Sequence, residues 1–151
     1  MRIKILVLLL SASTSALAGE IDAVHSDFMK AFNDRQWDSV KTMLTEDAVF
    51  HRATGDTVYI GPEAIIERWS KTIGASDQWN VKFAKLDTTS QMTGKDGRIV
   101  ERGDFAVTAG GDSSACYAGS FMMTWAPDAS QNMKLQTLAW QDVETDISTC
   151  K

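Results

Sequence analysis

Cysteine is nearly missing from the chain: Cys116 and Cys150 are its only two, too few for a thiolate zinc site and too few for a disulfide-dense miniature domain. Pro62 and Pro127 are the only prolines, so no proline-rich linker divides the sequence, and no internal repeat or low-complexity run is present. Basic residues are outnumbered, 15 Lys and Arg against 20 Asp and Glu for a net charge of −5, and no basic run offsets them. Such a surface repels nucleic acid and anionic lipid. The chain also lacks CxxC, HExxH, GxGxxG and GxSxG motifs and a Walker loop, which leaves no motif for metal, nucleotide or serine-hydrolase chemistry. No cofactor and no metal are expected.

No apolar run reaches the roughly 20 residues that a bilayer span needs. The longest near the start, Ile5 to Leu10, follows the basic pair Arg2 and Lys4 and precedes Ala16-Leu17-Ala18, small residues at the positions a signal peptidase reads. The order basic, apolar, small predicts a signal peptide over 1–18 and a mature chain from Gly19 to Lys151, periplasmic or secreted, with no membrane anchor after cleavage. Loss of Arg2 and Lys4 makes the mature chain more acidic still. An oxidising destination makes an intrachain Cys116–Cys150 disulfide the expectation.

The mature stretch has the length of one domain with one core. Ile21, Val24, Phe28 and Phe32 recur at helical spacing, and Trp37, Val40, Met43 and Leu44 do so again after the polar break Asn33-Asp34-Arg35. Residues 47–52 and 57–60 lean towards strand. Gly61-Pro62 opens a third helix, with Ile65, Trp69 and Ile73 on one face and Gly74 placed to end it. From there the apolar period changes to two, and four strands are predicted over about 78–90, 97–109, 115–126 and 133–145, separated by Gly, Asp, Pro and Ser clusters. Consecutive hairpins make a curved antiparallel sheet, and three N-terminal helices packed on its concave face make an α+β cone.

The element order, with FMKAFNDRQWDSVKTMLTEDAVFHRATGDTVYIGPEAI inside it, resembles the nuclear transport factor 2-like superfamily, which includes steroid delta-isomerases and SnoaL-like polyketide cyclases. The marks are the helix ending AFNDRQWDSV, the strand entry TEDAVF and the GPEAI helix start, all within residues 21–73. The resemblance implies a single SnoaL-like cone domain over 19–151, an internal ligand cavity and a homodimer. It implies no single reaction, because this superfold hosts many.

Laid on the steroid isomerase pattern without gaps, Asn33 and Gly61 match, but the tyrosine that donates to the substrate oxygen falls on Phe28 and the proton-shuttling aspartate falls on Arg52. Phenylalanine has no donor and a guanidinium stays protonated, so neither performs the matched role. Trp69 stands where a supporting tyrosine would. Arg52 keeps two readings: a cation in the cup, suited to a carboxylate or phosphate, or a structural salt bridge to Asp104 or Asp142. His51 alternates to the opposite side from Arg52. Asp104 is the acid in an arginine–carboxylate arrangement like that of the epoxide hydrolase branch, unless it faces outward beside inward Phe105 and Val107. The catalytic candidates are thus Asp104 and His51. The ligand-binding candidates are Phe28, Arg52, Tyr59, Trp69, Phe121 and Trp140.

Three functions fit these residues. The first is an exported protein holding a small, partly apolar ligand in the cone, an acid if Arg52 faces inward. The second is a metal-independent lyase, isomerase or hydrolase of the SnoaL-like or epoxide hydrolase-like kind. The third is a dimeric assembly or partner-binding module that works through the outer sheet face.

Overall fold

The computed structural model of the chain describes residues 13–52, 57–75, 79–85, 92–109 and 115–142. Helices α1 (Ser13–Asn33) and α2 (Trp37–Thr42) come first, then strands β1 (Leu44–Arg52) and β2 (Val58–Ile60), helix α3 (Pro62–Thr72) and a 3-10 turn at Ile73–Ala75. Strands β3 (Trp79–Lys85), β4 (Met92–Thr93), β5 (Ile99–Ala109), β6 (Ala115–Pro127) and β7 (Met133–Asp142) follow. This is the α+β order expected from the periodicity.

One boundary moved. Leu44, expected on the second helix, instead opens β1. Helix α2 stops short of it because the N–H of Leu135 donates to the Met43 carbonyl at 2.8 Å, joining that turn to the sheet. The strand expected over 78–90 is described only at 79–85, and the Cys116–Cys150 bond lies outside the described residues, since Cys150 and the Cys116 side chain are not among them.

The strands form one sheet in the order β2-β1-β7-β6-β5-β3, with β4 paired to β5. Every described pairing is antiparallel except β1 with β7, which run parallel. Irregular register supplies the curl. Thr124 pairs with Thr137 and Trp125 with Leu135, so Gln136 is an extra residue on β7. An extra residue bends a strand and raises its twist. Here it also keeps Leu135 and Leu138, three positions apart, buried on the same side. Gln136 is tied down on the outside, accepting from Arg98 Nε at 2.8 Å and donating to Asp47 at 3.0 Å.

The helices are held on the concave side by specific devices. Helix α1 ends in a Schellman-type cap: the Gln36 N–H donates to the Ala31 carbonyl at 2.9 Å, the Arg35 N–H donates to the Phe32 carbonyl at 3.2 Å, and Arg35 takes the left-handed φ of 56°. That conformation is unfavourable for a residue with a Cβ. The Arg35 guanidinium compensates by donating to the carbonyls of Asn33 and Ile73. Earlier in the same cap, Asn33 imitates a strand, accepting from the Val81 N–H and donating to the Val81 carbonyl, both at 2.8 Å. This double bond fastens the end of α1 to edge strand β3. Gly61 caps α3 at φ 85° and ψ 153°, a region open essentially to glycine, while its N–H donates to the Ala48 carbonyl of β1 at 2.8 Å.

Ile21, Phe28 and Phe32 of α1 and Ile65, Trp69 and Ile73 of the third helical segment are buried against Phe50, Val81, Phe105, Phe121, Met123, Trp125 and Leu138 of the sheet. Aromatic rings carry the contact. Trp69 meets Phe28, Phe32 and Phe50 edge-on at 6.2, 5.1 and 5.4 Å between centroids. Edge-to-face pairs of this kind add about 0.5–1.5 kcal/mol each beyond their buried area.

Candidate functional site

Strand alternation sorts β5 cleanly. Ile99, Glu101, Gly103, Phe105 and Val107 are buried on the concave side, while Arg102 and Asp104 are exposed. Four of the five inward positions are apolar or glycine. The fifth is a carboxylic acid, with no exposure at all.

Glu101 is opposite Met123 of β6, on the same face as the neighbouring pair of Ile99 and Trp125. Its Oε2 receives the indole N–H of Trp125 at 2.7 Å and lies 2.8 Å from Nδ1 of His25, which descends from α1 and is 7% exposed. A buried carboxylate without such partners would cost several kcal/mol, so the three side chains form a unit. The shared acceptor fixes the chemistry. An ionised carboxylate accepts only, so both neighbours donate to it and the imidazole carries its proton on Nδ1. The ring is bounded by Phe121 at 6.3 Å and Trp125 at 6.2 Å. Phe28, the next inward residue along α1, stands edge-on to Trp125 at 5.9 Å and to Trp69 at 6.2 Å. The indole N–H of Trp69 is buried and has no acceptor among the described residues.

The other end of the concave face is aromatic with a cationic rim. Phe50 stacks on Tyr59 at 5.8 Å and meets Trp140 edge-on at 4.9 Å, and Trp140 stacks on Phe105 at 5.3 Å. The last stack depends on Gly119. A Cβ there would lie 2.7 Å from the Phe105 ring and 2.0 Å from the Gln141 carbonyl oxygen. Arg68 of α3 sits over the Tyr59 ring at 5.6 Å. Arg52 pairs in register with Trp140 and shares the phase of buried Ala48 and Phe50, which puts it half-buried at the same end.

Of the residues singled out from the sequence, Phe28, Trp69, Phe121 and Trp140 are all buried on the concave side, and Tyr59 and Arg52 are half-buried at its Arg68 end. His51 and Asp104 are placed elsewhere. His51 pairs with exposed Val58 and has the outer phase of β1, and Asp104 is exposed on the outer face of β5. Two strands, β7 and β6, lie between the strands of Arg52 and Asp104. The structure therefore does not bring Asp104 to Arg52, as catalytic acid or as salt-bridge partner. The sequence reading missed His25 and Glu101 altogether. Their signal was phase: His25 is four residues after Ile21 and three before Phe28, and Glu101 alternates with Ile99 and Phe105.

Residues 25–128 match the model of the SnoaL-like domain, and the chain belongs to that family, within the nuclear transport factor 2-like superfamily. Solved structures agree on the fold. Aln2 from a Streptomyces species superposes with a TM-score of 0.73 at 17% identity, covering 85% of this chain and 92% of its own. A ketosteroid isomerase-like protein from Erwinia carotovora atroseptica gives 0.64 at 13% identity, with 85% and 97% covered. A protein from Catenulispora acidiphila, solved in complex with S-DNPA, gives 0.66 at 15% identity, with 85% and 95% covered. At these identities the likeness is one of fold. No curated protein matches the chain by sequence.

Proposed function

We propose that this is an exported protein that binds a small, partly apolar ligand on the concave face of its cone. The observation that carries the reading is the combination on that face of an aromatic wall and a few convergent polar groups: His25 and Glu101 at one end, Arg52 and Arg68 at the other. Small-molecule sites are built this way, apolar for affinity with sparse polar groups for orientation. The ligand complex of the Catenulispora acidiphila neighbour supports the same use of the fold. An acidic group on the ligand would meet the two arginines, whose planar guanidinium suits a carboxylate.

Export rests on the basic, apolar and small-residue order of the first 18 residues. Cleavage after Ala18 would leave Ile21, the first described core residue of α1, in the mature chain. Dimerisation through the outer sheet face is supported by Val58 and Ile60 of β2, 46% and 69% exposed, and by Met122 of β6.

Native mass spectrometry of protein purified from its own host tests the reading. A mature mass beginning near Gly19, with a retained small molecule released on denaturation, is the expected result. A retained Met1 in exported material refutes cleavage. A ligand-free spectrum, together with unchanged tryptophan emission across a panel of small aromatic acids and ketones, refutes binding.

A further inference from the structure

The two edges of the sheet are finished differently. Strand β3 carries Lys82 and Lys85, and Asn33 occupies both backbone groups of Val81 at 2.8 Å. Edge lysines and covered backbone groups both keep another strand from adding to a sheet. Strand β2, at the opposite edge, has neither, and its Val58-Tyr59-Ile60 contains no charge, no proline and no register shift. We propose that β2 is a pairing edge: the β2 of a second copy of this chain adds to it antiparallel, about a two-fold axis at Tyr59, and joins two sheets into one.

The register shows which backbone groups are on offer. The Gly61 N–H donates to the Ala48 carbonyl at 2.8 Å, which makes Ala48 with Gly61 a hydrogen-bonded pair of the β1–β2 ladder. Such pairs alternate in an antiparallel ladder, so Phe50 with Tyr59 is the next one. Val49 with Ile60 and His51 with Val58 are then the pairs in between, whose backbone groups point away from each other. The N–H and C=O of Val58 and of Ile60 therefore point out from the rim of the sheet, and no described residue bonds to them. The side chains agree. Val58 and Ile60 are aliphatic, yet 46% and 69% exposed, while Tyr59 between them turns inward to stack on Phe50. A row of open backbone groups under exposed aliphatic side chains is a template for another strand.

A second copy fits this edge because the edge is complementary to itself. With the axis at Tyr59, Val58 lies opposite the second copy's Ile60, and Ile60 lies opposite the second copy's Val58. Each opposition is a hydrogen-bonded pair that exchanges N–H and C=O both ways, so every outward group is satisfied at once. The aliphatic side chains of the two copies meet on the outer side of the joined sheet. The ladder stops there, since the chain turns at Gly61 into α3 and Pro62 has no N–H to offer. So short a contact makes the association weak and concentration-dependent. It uses the rim of the sheet rather than its outer face, and it holds or fails independently of ligand binding.

Sedimentation velocity of the full chain over a concentration series tests this, together with amide exchange read residue by residue. The mass should rise from one copy towards two, and the Val58 and Ile60 amides, open in dilute protein, should become protected as it rises. Ile60→Pro removes one N–H from each copy at an edge position whose N–H faces solvent, where proline is tolerated. Losing two bonds per pair should weaken association by about tenfold or more, with the thermal midpoint of the dilute protein kept. Ile60→Lys should weaken it as well, by setting a charge on the edge. Met122→Lys, on the outer face, should leave it unchanged. A mass of one copy at every concentration overturns the proposal. So does association that Met122→Lys abolishes and Ile60→Pro spares, which is the signature of a face contact. Val58 and Ile60 amides already protected in the dilute protein also overturn it, because the edge is then covered within one copy. If Ile60→Pro gives no cooperative melt, Ile60→Lys decides: association at wild-type affinity refutes the pairing.

Discussion

Replacing Glu101 by leucine should destabilise the protein, and the structure says by how much. The substitution strands the Nδ1–H of His25 and the indole N–H of Trp125, both buried. Each orphaned donor costs about 1–3 kcal/mol, or about 2–6 kcal/mol for the two. Burying the leucine side chain offsets about 1.5–3 kcal/mol of this, since that is the transfer gain of such a residue. A net loss of about 2 kcal/mol is therefore expected, larger than that of Glu101→Gln, which keeps an acceptor for one donor. The discriminating protein is the double variant His25→Leu/Glu101→Leu. It removes one of the stranded donors together with its acceptor, so in the Glu101→Leu background the second change should recover about 1–3 kcal/mol rather than add to the loss. Urea melts of the wild type, both singles and the double, compared at a common slope, give the coupling. A Glu101→Leu protein within about 1 kcal/mol of wild type, or a double variant whose loss equals the sum of the singles, would refute the account of a shared buried acceptor.

Other expectations follow from single contacts. Gly119→Ala should cost about 3 kcal/mol or more, because the new Cβ would sit 2.0 Å from the Gln141 carbonyl oxygen and the backbone must give way; an unchanged thermal midpoint and near-UV spectrum would contradict the close approach. Asn33→Ala removes both bonds to the Val81 backbone and should lose about 1–3 kcal/mol, with faster amide exchange confined first to β3; protection of β3 at wild-type levels would show that the clamp is idle. The Asp128 carboxyl is held below its ordinary value of 3.8, first by the Asn132 N–H and also by that of Ser130. A lowered folded-state value means that the contribution is present above pH 3.8 and is lost as the pH falls through the lower value. Amide protection at Ser130 and Asn132 should therefore weaken on acidification below that range, and protection that does not change with pH would sink the assignment.

How much of this could be read from the chain depends on which residues kept to a period. Helix α3 was legible because Gly61-Pro62 announces its start and Ile65, Trp69 and Ile73 recur on one face, and all three are buried. The outward turn of Asp104 was implicit in the inward turn of Phe105. The end of α2 was not legible, since what stops it is a bond from Leu135, on the far side of the sequence from Met43. Nor was the extra residue Gln136 on β7. A strict alternation drawn through Leu138 and Trp140 places Leu135 on the wrong face, and only the register with β6 shows where the count slips.

The buried dyad is the informative failure. Family resemblance drew attention to Phe28 and Arg52, the positions where a catalytic side chain is replaced, and so to the places where chemistry had been removed. His25 and Glu101 stood in the apolar phase of their own elements, in a helix stripe between Ile21 and Phe28 and in a strand between Ile99 and Phe105. Separately, each reads as an interruption to be skipped. Together they obey a simple constraint: a titratable residue in a buried phase needs a partner, and when an acid and a base on different elements both break phase, pairing them satisfies both. That pairing spans 76 residues and becomes contact only because α1 crosses the sheet with His25 beside Phe121 and Trp125. Burial alone thus dictates which residues must meet, without dictating what they do.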